Sequence, residues 1–257
     1  MKIATFNVNS IRSRLPILAR WLPAAAPDVL CLQETKVRDE EFPRSEIEAL
    51  GYHAVFRGEK AWNGVAILSR EPPDEVAFGL PAGEPPDETR MMRARFGDLW
   101  IVNTYVPQGR DITDPHYRYK LEWLARLRRF WEQQFRPDRD RVLWTGDLNV
   151  AIEPEDVHAP ELYTDHVCFH EDARRALAAC RDWGFVDVFR RFHPEPGQYS
   201  FFDYRTPNAV RRRIGWRLDY LFATPPLANQ AQDAWIDLEP RTWEKPSDHT
   251  PVVAVFR

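Results

Sequence analysis

Short apolar runs alternate with helically spaced stripes along this chain. Ile3–Phe6 is a strand-like run ending at Asn7-Val8-Asn9-Ser10. Leu15, Leu18, Trp21 and Leu22 then recur at helical spacing, and the prolines at 23 and 27 predict a stop there. Val29–Leu32 predicts a second buried strand ending at Gln33-Glu34, followed by a helical piece at 45–50 and strands at 52–56 and 65–68. The Pro-, Gly- and acid-rich stretch 71–88 predicts a surface loop with a short strand near Val76. Met91–Phe96 and Leu99–Tyr105 predict a hairpin turning at Gly97-Asp98. Asp114 as N-cap and Pro115 at the first position open the longest helix, whose apolar face is Tyr117, Leu121, Leu124, Leu127, Trp131 and Phe135. A strand at 142–144 stops abruptly at Gly146; a helix at 173–180 and strands at 216–223, 234–238 and 252–256 complete the pattern. No repeat, composition break or linker interrupts it, so residues 1–257 are expected to form one α/β domain.

Composition narrows the function classes. A hydrophobic content of 44% is sufficient for a large core, and a net charge of −4 means that any anionic partner must be met by a local basic patch. Arginine far outnumbers lysine, which favours fork-like phosphate contacts. Cys31, Cys168 and Cys180 are widely spaced and form no zinc or disulfide pattern. With no leader-like or membrane-length apolar stretch, the expectation is a soluble, cytoplasmic protein that does not engage membranes.

The polar residues beside the strand ends carry the chemistry. Asp147 and Asn149 leave an apolar run one residue apart, and in extended backbone they project to one side, although an Asx turn capping a strand explains the same pattern. Asn7, Glu34, Tyr105, Asp248 and His249 occupy similar places, each with an ordinary alternative: a solvated loop carboxylate for Glu34, packing against Pro107 for Tyr105, a loop histidine for His249. Asp219 interrupts an apolar stretch, and a buried carboxylate there requires a partner such as a histidine.

Phe-Asn7-Val-Asn, Leu-Gln-Glu34-Thr-Lys, Asn-Gly-Val-Ala-Ile-Leu-Ser-Arg at 63–70, Asn-Thr-Tyr105-Val-Pro, Gly-Asp147-Leu-Asn149, Trp216-Arg-Leu-Asp219-Tyr and Ser-Asp248-His249-Thr-Pro occur in this order. Together they resemble the exonuclease III and apurinic/apyrimidinic endonuclease branch of the endonuclease/exonuclease/phosphatase superfamily, over essentially the whole length. The resemblance implies a four-layer α/β sandwich, two mainly antiparallel sheets packed face to face and flanked by helices, with the site at one edge. It implies a monomeric, metal-dependent nuclease acting on double-stranded DNA at abasic sites and 3′ ends.

Within that chemistry Glu34 is the expected principal ligand for Mg²⁺, with Mn²⁺ as substitute, and Asn7, Asp147, Asn149 and Asp248 stand close to the metal. Asp147 would orient or deprotonate the attacking water, and Asn149 would donate to the phosphate. His249, oriented by Asp219, would donate to a non-bridging oxygen, and Tyr105 would supply a phenol. By resemblance Phe201, Trp216 and Leu218 wall the pocket for an extruded abasic sugar, and Arg12, Trp62 and Gln108 contact phosphate or sugar. The aromatic–arginine stretches 199–205 and 211–217 are the expected DNA-binding cluster.

Two departures bear on activity. Phe202 stands where many relatives carry tryptophan, and 153–171 maps onto no groove-inserting segment. An exonuclease-dominant enzyme, a phosphatase of the same superfamily and a non-catalytic DNA-binding module are the competing readings. The complete acidic and histidine set argues against the last.

Overall fold

A computed structural model describes residues 1–81 and 85–257. Its strands are β1 Lys2–Asn7, β2 Val29–Gln33, β3 His53–Arg57, β4 Val65–Ser69, β5 Glu75–Phe78, β6 Met91–Phe96, β7 Leu99–Tyr105, β8 Arg141–Asp147, β9 Val186–Asp187, β10 Asp219–Ala223, β11 Ala231–Ile236 and β12 Val252–Phe256. The helices that matter for packing are α1 Ile11–Ala25, α2 Arg44–Ala49, α3 Pro115–Gln134 and α4 Glu171–Arg181. Two six-stranded sheets form, in the orders β11-β12-β1-β2-β4-β3 and β5-β6-β7-β8-β10-β9. Each contains one parallel pair, β1 with β2 and β7 with β8, among antiparallel neighbours.

Strand alternation sorts the core into three seams. Ile3, Val29, Cys31, Ile101, Leu143, Leu221 and Ala254 fill the space between the sheets. Ala4, Phe6, Leu30 and Leu32 face outward onto Ile17, Leu18, Trp21 and Leu22 of α1. On the other side Val142, Trp144, Tyr220 and Phe222 meet α3 through Leu124, Leu127 and Trp131, and α4 through Leu177 and Cys180. These seams make the expected four layers.

The inter-sheet seam changes character along its length. Two residues beyond Ile3, Ile101 and Leu143 come the buried polar residues Thr5, Asn103 and Thr145, with Gln33 two beyond Cys31. Gln33 Nε2 donates across the sheets to Asn103 Oδ1 at 2.7 Å, and Asn103 Nδ2 donates to the carbonyls of Leu32 and Ala66 at 2.9 Å each. Two positions further on from Thr5, Asn103 and Thr145, the same rows reach Asn7, Tyr105 and Asp147.

The structure corrects several sequence-based boundaries. Helix α1 passes through Pro16 and Pro23 and ends at Ala26 in a left-handed cap. Both prolines are exposed, as are Arg12 and Ala19, whose carbonyls they leave without an intrahelical donor, so the missing bonds fall on the solvent side and the helix continues. Strand β8 runs through Gly146 to Asp147; Gly146 has φ 133°, and a Cβ there would lie 1.9 Å from the Thr104 carbonyl oxygen of parallel β7. Strand β10 begins at Asp219, so Asp219 opens the strand instead of interrupting it, while Trp216 makes isolated bridges to Val157 and Phe201. Within 71–88 the strand near Val76 is β5, and 82–84 of that loop lie outside the described residues. The helix α3 N-cap is Asp114, which accepts from the His116 amide. Among the described residues no helix is long and apolar enough to cross a membrane.

Replacing Asn103 by alanine removes three buried hydrogen bonds, so urea unfolding of Asn103→Ala should show a loss of about 2–4 kcal/mol. A loss indistinguishable from zero would remove the cross-sheet bridge from the fold's stability.

Candidate active site

The two parallel pairs decide where the polar groups gather. β1, β2, β7 and β8 all finish at one edge of the sandwich, and their antiparallel neighbours β10 and β12 start there. Asn7, Tyr105 and Asp147 therefore arrive on strand ends, with Glu34 just past β2, Asp219 at the first position of β10 and His249 just before β12. Tyr105 pairs in register with Asp147, and Asp147 with Asp219.

Asn7 joins the sheets: its Nδ2 donates to Glu34 Oε1 and to Asp147 Oδ2, both at 2.8 Å. Asp147 Oδ1 accepts the Asn149 amide at 3.0 Å, and Asn149 Nδ2 donates to the Val106 carbonyl at 3.0 Å and lies 3.3 Å from Asp147 Oδ2. Asn149 has φ 50°, so it reaches Asp147's side through an Asx turn and not through extended backbone. The turn and the site are the same feature. His249 Nδ1 donates to Asp219 Oδ2 at 2.8 Å, which fixes its tautomer and aims Nε2 at Asp147 Oδ2, 3.6 Å away. Asp219 also accepts from Ser200 Oγ at 2.6 Å.

A second chain of contacts, carried by residues not singled out from the sequence, closes the ring. Lys36 Nζ lies 2.7 Å from Glu34 Oε2 and donates to Asn9 Oδ1 at 2.6 Å, while Asn9 Nδ2 donates to Asp248 Oδ1 at 3.0 Å. Asn9 and Lys36 stand inside the Phe-Asn-Val-Asn and Glu-Thr-Lys motifs, which was the available signal; Ser200 had none.

Burial and mutual charge set the protonation states. Burial alone would depress the His249 imidazolium, but the Asp219 and Asp147 carboxylates outweigh it and raise His249 from 6.5 to about 10. Burial pushes the Asp147 carboxyl upward, reinforced by Asp219 and Glu34 and opposed by the His249 cation. For Glu34 burial also acts upward, yet the Lys36 ammonium and the Asn7 and Lys36 hydrogen bonds bring the carboxyl below its ordinary value. Burial, with the negative charge of Glu34 and Asp147, drives the Tyr105 phenol well up, so it remains a proton donor.

These groups open onto a cleft of about 450 Å³ that also presents Gln108, Phe201, Trp216 and Leu218. A wider groove of about 710 Å³ is bordered by Glu59, Asp87, Arg90, His116 and Tyr119, none of them in the strand-end set, so the chemistry belongs to the smaller space. Of the remaining predicted contacts, Arg12 is exposed and bridged to Glu41 at 3.6 Å, outside the cleft lining, and Trp62 is 67% exposed. Segment 153–171 forms a wall of the cleft: the Tyr163 and His166 rings lie 4.9 and 4.7 Å from that of Trp216, and His158 lines the same space. These three rings were missed because 153–171 has no periodicity.

The expected DNA-binding cluster divides. Arg217 is 1% exposed and pairs with Asp156 at 2.7 Å and Asp187 at 2.8 Å, while Arg190 also contacts Asp156, so Arg217 anchors the 153–171 wall from inside. Tyr199 and Phe202 are buried together against Ala209. Tyr204 and Arg205 remain on the surface.

The donor set suits a hard divalent cation. Among the described residues Asp147, Asp219 and His249 bring ligand-type atoms within 4.8 Å of one another, but His249 Nδ1 already donates to Asp219. In that triad His249 is hydrogen-bonded to Asp219 and in ion-pair range of Asp147, so its nitrogens are engaged with the carboxylates. The all-oxygen alternative is Glu34 with Asp248 and Asn7; each Glu34 oxygen accepts one hydrogen bond and keeps lone-pair capacity for a cation.

A family model described as the endonuclease/exonuclease/phosphatase family matches residues 4–249. The chain is 32% identical over 269 residues to exodeoxyribonuclease III of Haemophilus influenzae, covering 100% of both. An AP endonuclease from Archaeoglobus fulgidus superposes with a TM-score of 0.97 at 52% identity, covering 100% of this chain and 99% of that one. A Neisseria 3′ phosphatase bound to a product DNA hairpin gives 0.94 at 36% identity, with the same coverage of 100% and 99%.

Holding His249 protonated contributes to stability, because its pKa of about 10 is above 6.5. That stabilisation is fully present below pH 6.5 and is lost as pH rises through about 10. Removing the Asp219 charge should lower the His249 midpoint by about one to three units in metal-free protein, read by NMR titration of Asp219→Asn. An unmoved midpoint would show that Asp219 does not hold the proton.

Proposed function

The chain belongs to the endonuclease/exonuclease/phosphatase family, and from that premise we propose a metal-dependent DNA-repair nuclease that hydrolyses the phosphodiester 5′ to an abasic site and trims 3′ ends. The observation that carries this reading is Asp147, fixed by Asn7 and Asn149 beside a histidine held protonated.

Glu34, with Asp248 and Asn7 beside it, is the proposed seat of Mg²⁺, with Mn²⁺ as substitute. The cation would neutralise phosphoryl and leaving-oxygen charge. An imidazolium cannot accept a proton from water, which supports Asp147 as the general base and His249 as donor to a non-bridging oxygen. The His249 cation and the Asn7 donor only partly oppose the burial that raises Asp147 to about 7, while Asn7 and Asn149 hold its carboxylate in place. Tyr105, retained as a phenol, donates toward the phosphate or the leaving oxygen. Phe201, Trp216 and Leu218 offer apolar walls for an extruded sugar, and Gln108 a polar contact.

One observation favours a second reading. Tyr163 and His166 crowd Trp216, which narrows the space for an internal abasic sugar and favours work at 3′ termini. Incubating the protein with Mg²⁺ and duplexes carrying an internal abasic analogue, a 3′-phosphate end or no lesion separates the two. Chelator-sensitive incision at the internal lesion is the expected result; resection or dephosphorylation from the ends alone would establish the second reading, and no cleavage of any duplex would refute both.

Asp147→Asn should lower single-turnover cleavage by about 10²- to 10⁴-fold while duplex binding remains measurable. Retained turnover would remove Asp147 from the mechanism. Glu34→Ala should raise the Mg²⁺ concentration for half-maximal rate by about tenfold or more, whereas an unchanged titration would place the cation elsewhere.

A further inference from the structure

Helical spacing on α3 calls for an apolar residue at position 120, three before Trp123, four before Leu124 and seven before Leu127, all of them buried. The residue is Lys120, and it too has no solvent exposure. An ammonium has three donors and no acceptor, and here each donor meets one main-chain carbonyl: Gln108 at 3.1 Å, Asn149 at 2.8 Å and Val167 at 2.7 Å. Those carbonyls belong to three separate segments bordering the cleft: the turn after β7, the turn after β8 and the 153–171 wall. No carboxylate lies within salt-bridge distance of Lys120 among the described residues.

Asn149 is the contact with mechanistic weight. Its left-handed φ of 50° is one that asparagine adopts readily, so contacts to the turn decide how firmly it is held. Asp147 holds its amide and Val106 its side chain, which leaves the carbonyl to Lys120. We infer that Lys120 is a positioning residue for the cleavage reaction: it locks the Asn149 turn, and with it the direction of the Asn149 side chain, while fastening the Gln108 turn and the 153–171 wall on either side. Burial depresses the ammonium to about 8, partly offset by nearby acidic groups, so it is charged at neutral pH and has all three donors to give. With every N–H engaged and no exposure, the amine itself has no path to substrate.

This inference rests on the hydrolase reading, so wild-type cleavage of at least one of the three duplexes with Mg²⁺ comes first, and that duplex is then the substrate; absence of all cleavage refutes that reading, not the role of Lys120. Given an active wild type, kcat and KM are measured for Lys120→Met, Asn149→Ala and the double variant, with thermal unfolding of each. Lys120→Met is expected to lose about tenfold or more in kcat, and the double variant to match the kcat of Asn149→Ala within about twofold, because no side chain then remains to be positioned. Displacement of Gln108 and the 153–171 wall should appear separately as a raised KM. Should Lys120→Met show no cooperative unfolding, Lys120→Arg carries the same cycle: its planar fork keeps the charge without matching three converging carbonyls, and its kcat loss should vanish in the Asn149→Ala background. Unchanged kcat in a folded Lys120 variant, or losses that multiply with that of Asn149→Ala, overturns the inference.

Discussion

Three carboxylates, Glu34, Asp147 and Asp219, converge where both sheets end, in a region from which water is largely excluded. Charges so placed are tolerable only with partners. Asp219 has the His249 imidazole and Ser200, Asp147 has the Asn7 and Asn149 donors with the His249 edge, and Glu34 has Asn7 and Lys36. Compensation is incomplete: Asp219 Oδ1 has no hydrogen-bond partner. Nearly every other polar feature of this edge serves to hold or balance that charge.

The architecture concentrates it. One parallel pair per sheet sends four strand ends to the same edge, and antiparallel neighbours begin there, so six backbone termini supply the side chains. The Gln33–Asn103 bridge ties the sheets through Gln33, the register partner of Asn7, and Asn103, two residues below Tyr105, and limits how far the two halves of the site can shift. Below that layer the seam is apolar, and above it polar, a gradient written into alternate residues of β1, β7 and β8.

That gradient is why so much was legible. Apolar runs ending in Asn, Glu, Tyr and Asp located the strand ends, and the requirement that a buried Asp219 be paired anticipated the histidine it meets. What stayed hidden depended on solvent direction or on long-range pairing. Pro23 looked like a helix stop because its exposure was unknown. Arg217 looked like a phosphate ligand because Asp156 and Asp187, its internal partners, lie 61 and 30 positions away in sequence. Tyr199 and Phe202 had the composition of a stacking surface but pack on each other inside. Segment 153–171 has no period, and its place over Trp216 follows from the Arg217 anchor, the Val157–Trp216 bridge and the Lys120 bond to the Val167 carbonyl.

The central claim is a division of labour, with an anionic Asp147 taking the proton and a cationic His249 donating, and the pH dependence of single-turnover cleavage tests it. The rate should climb as Asp147 ionises, stay level through weakly alkaline pH and fall only as His249 deprotonates near 10. A rate that tracks the appearance of neutral imidazole, still rising through that region with no alkaline fall, would make His249 the base and contradict the account.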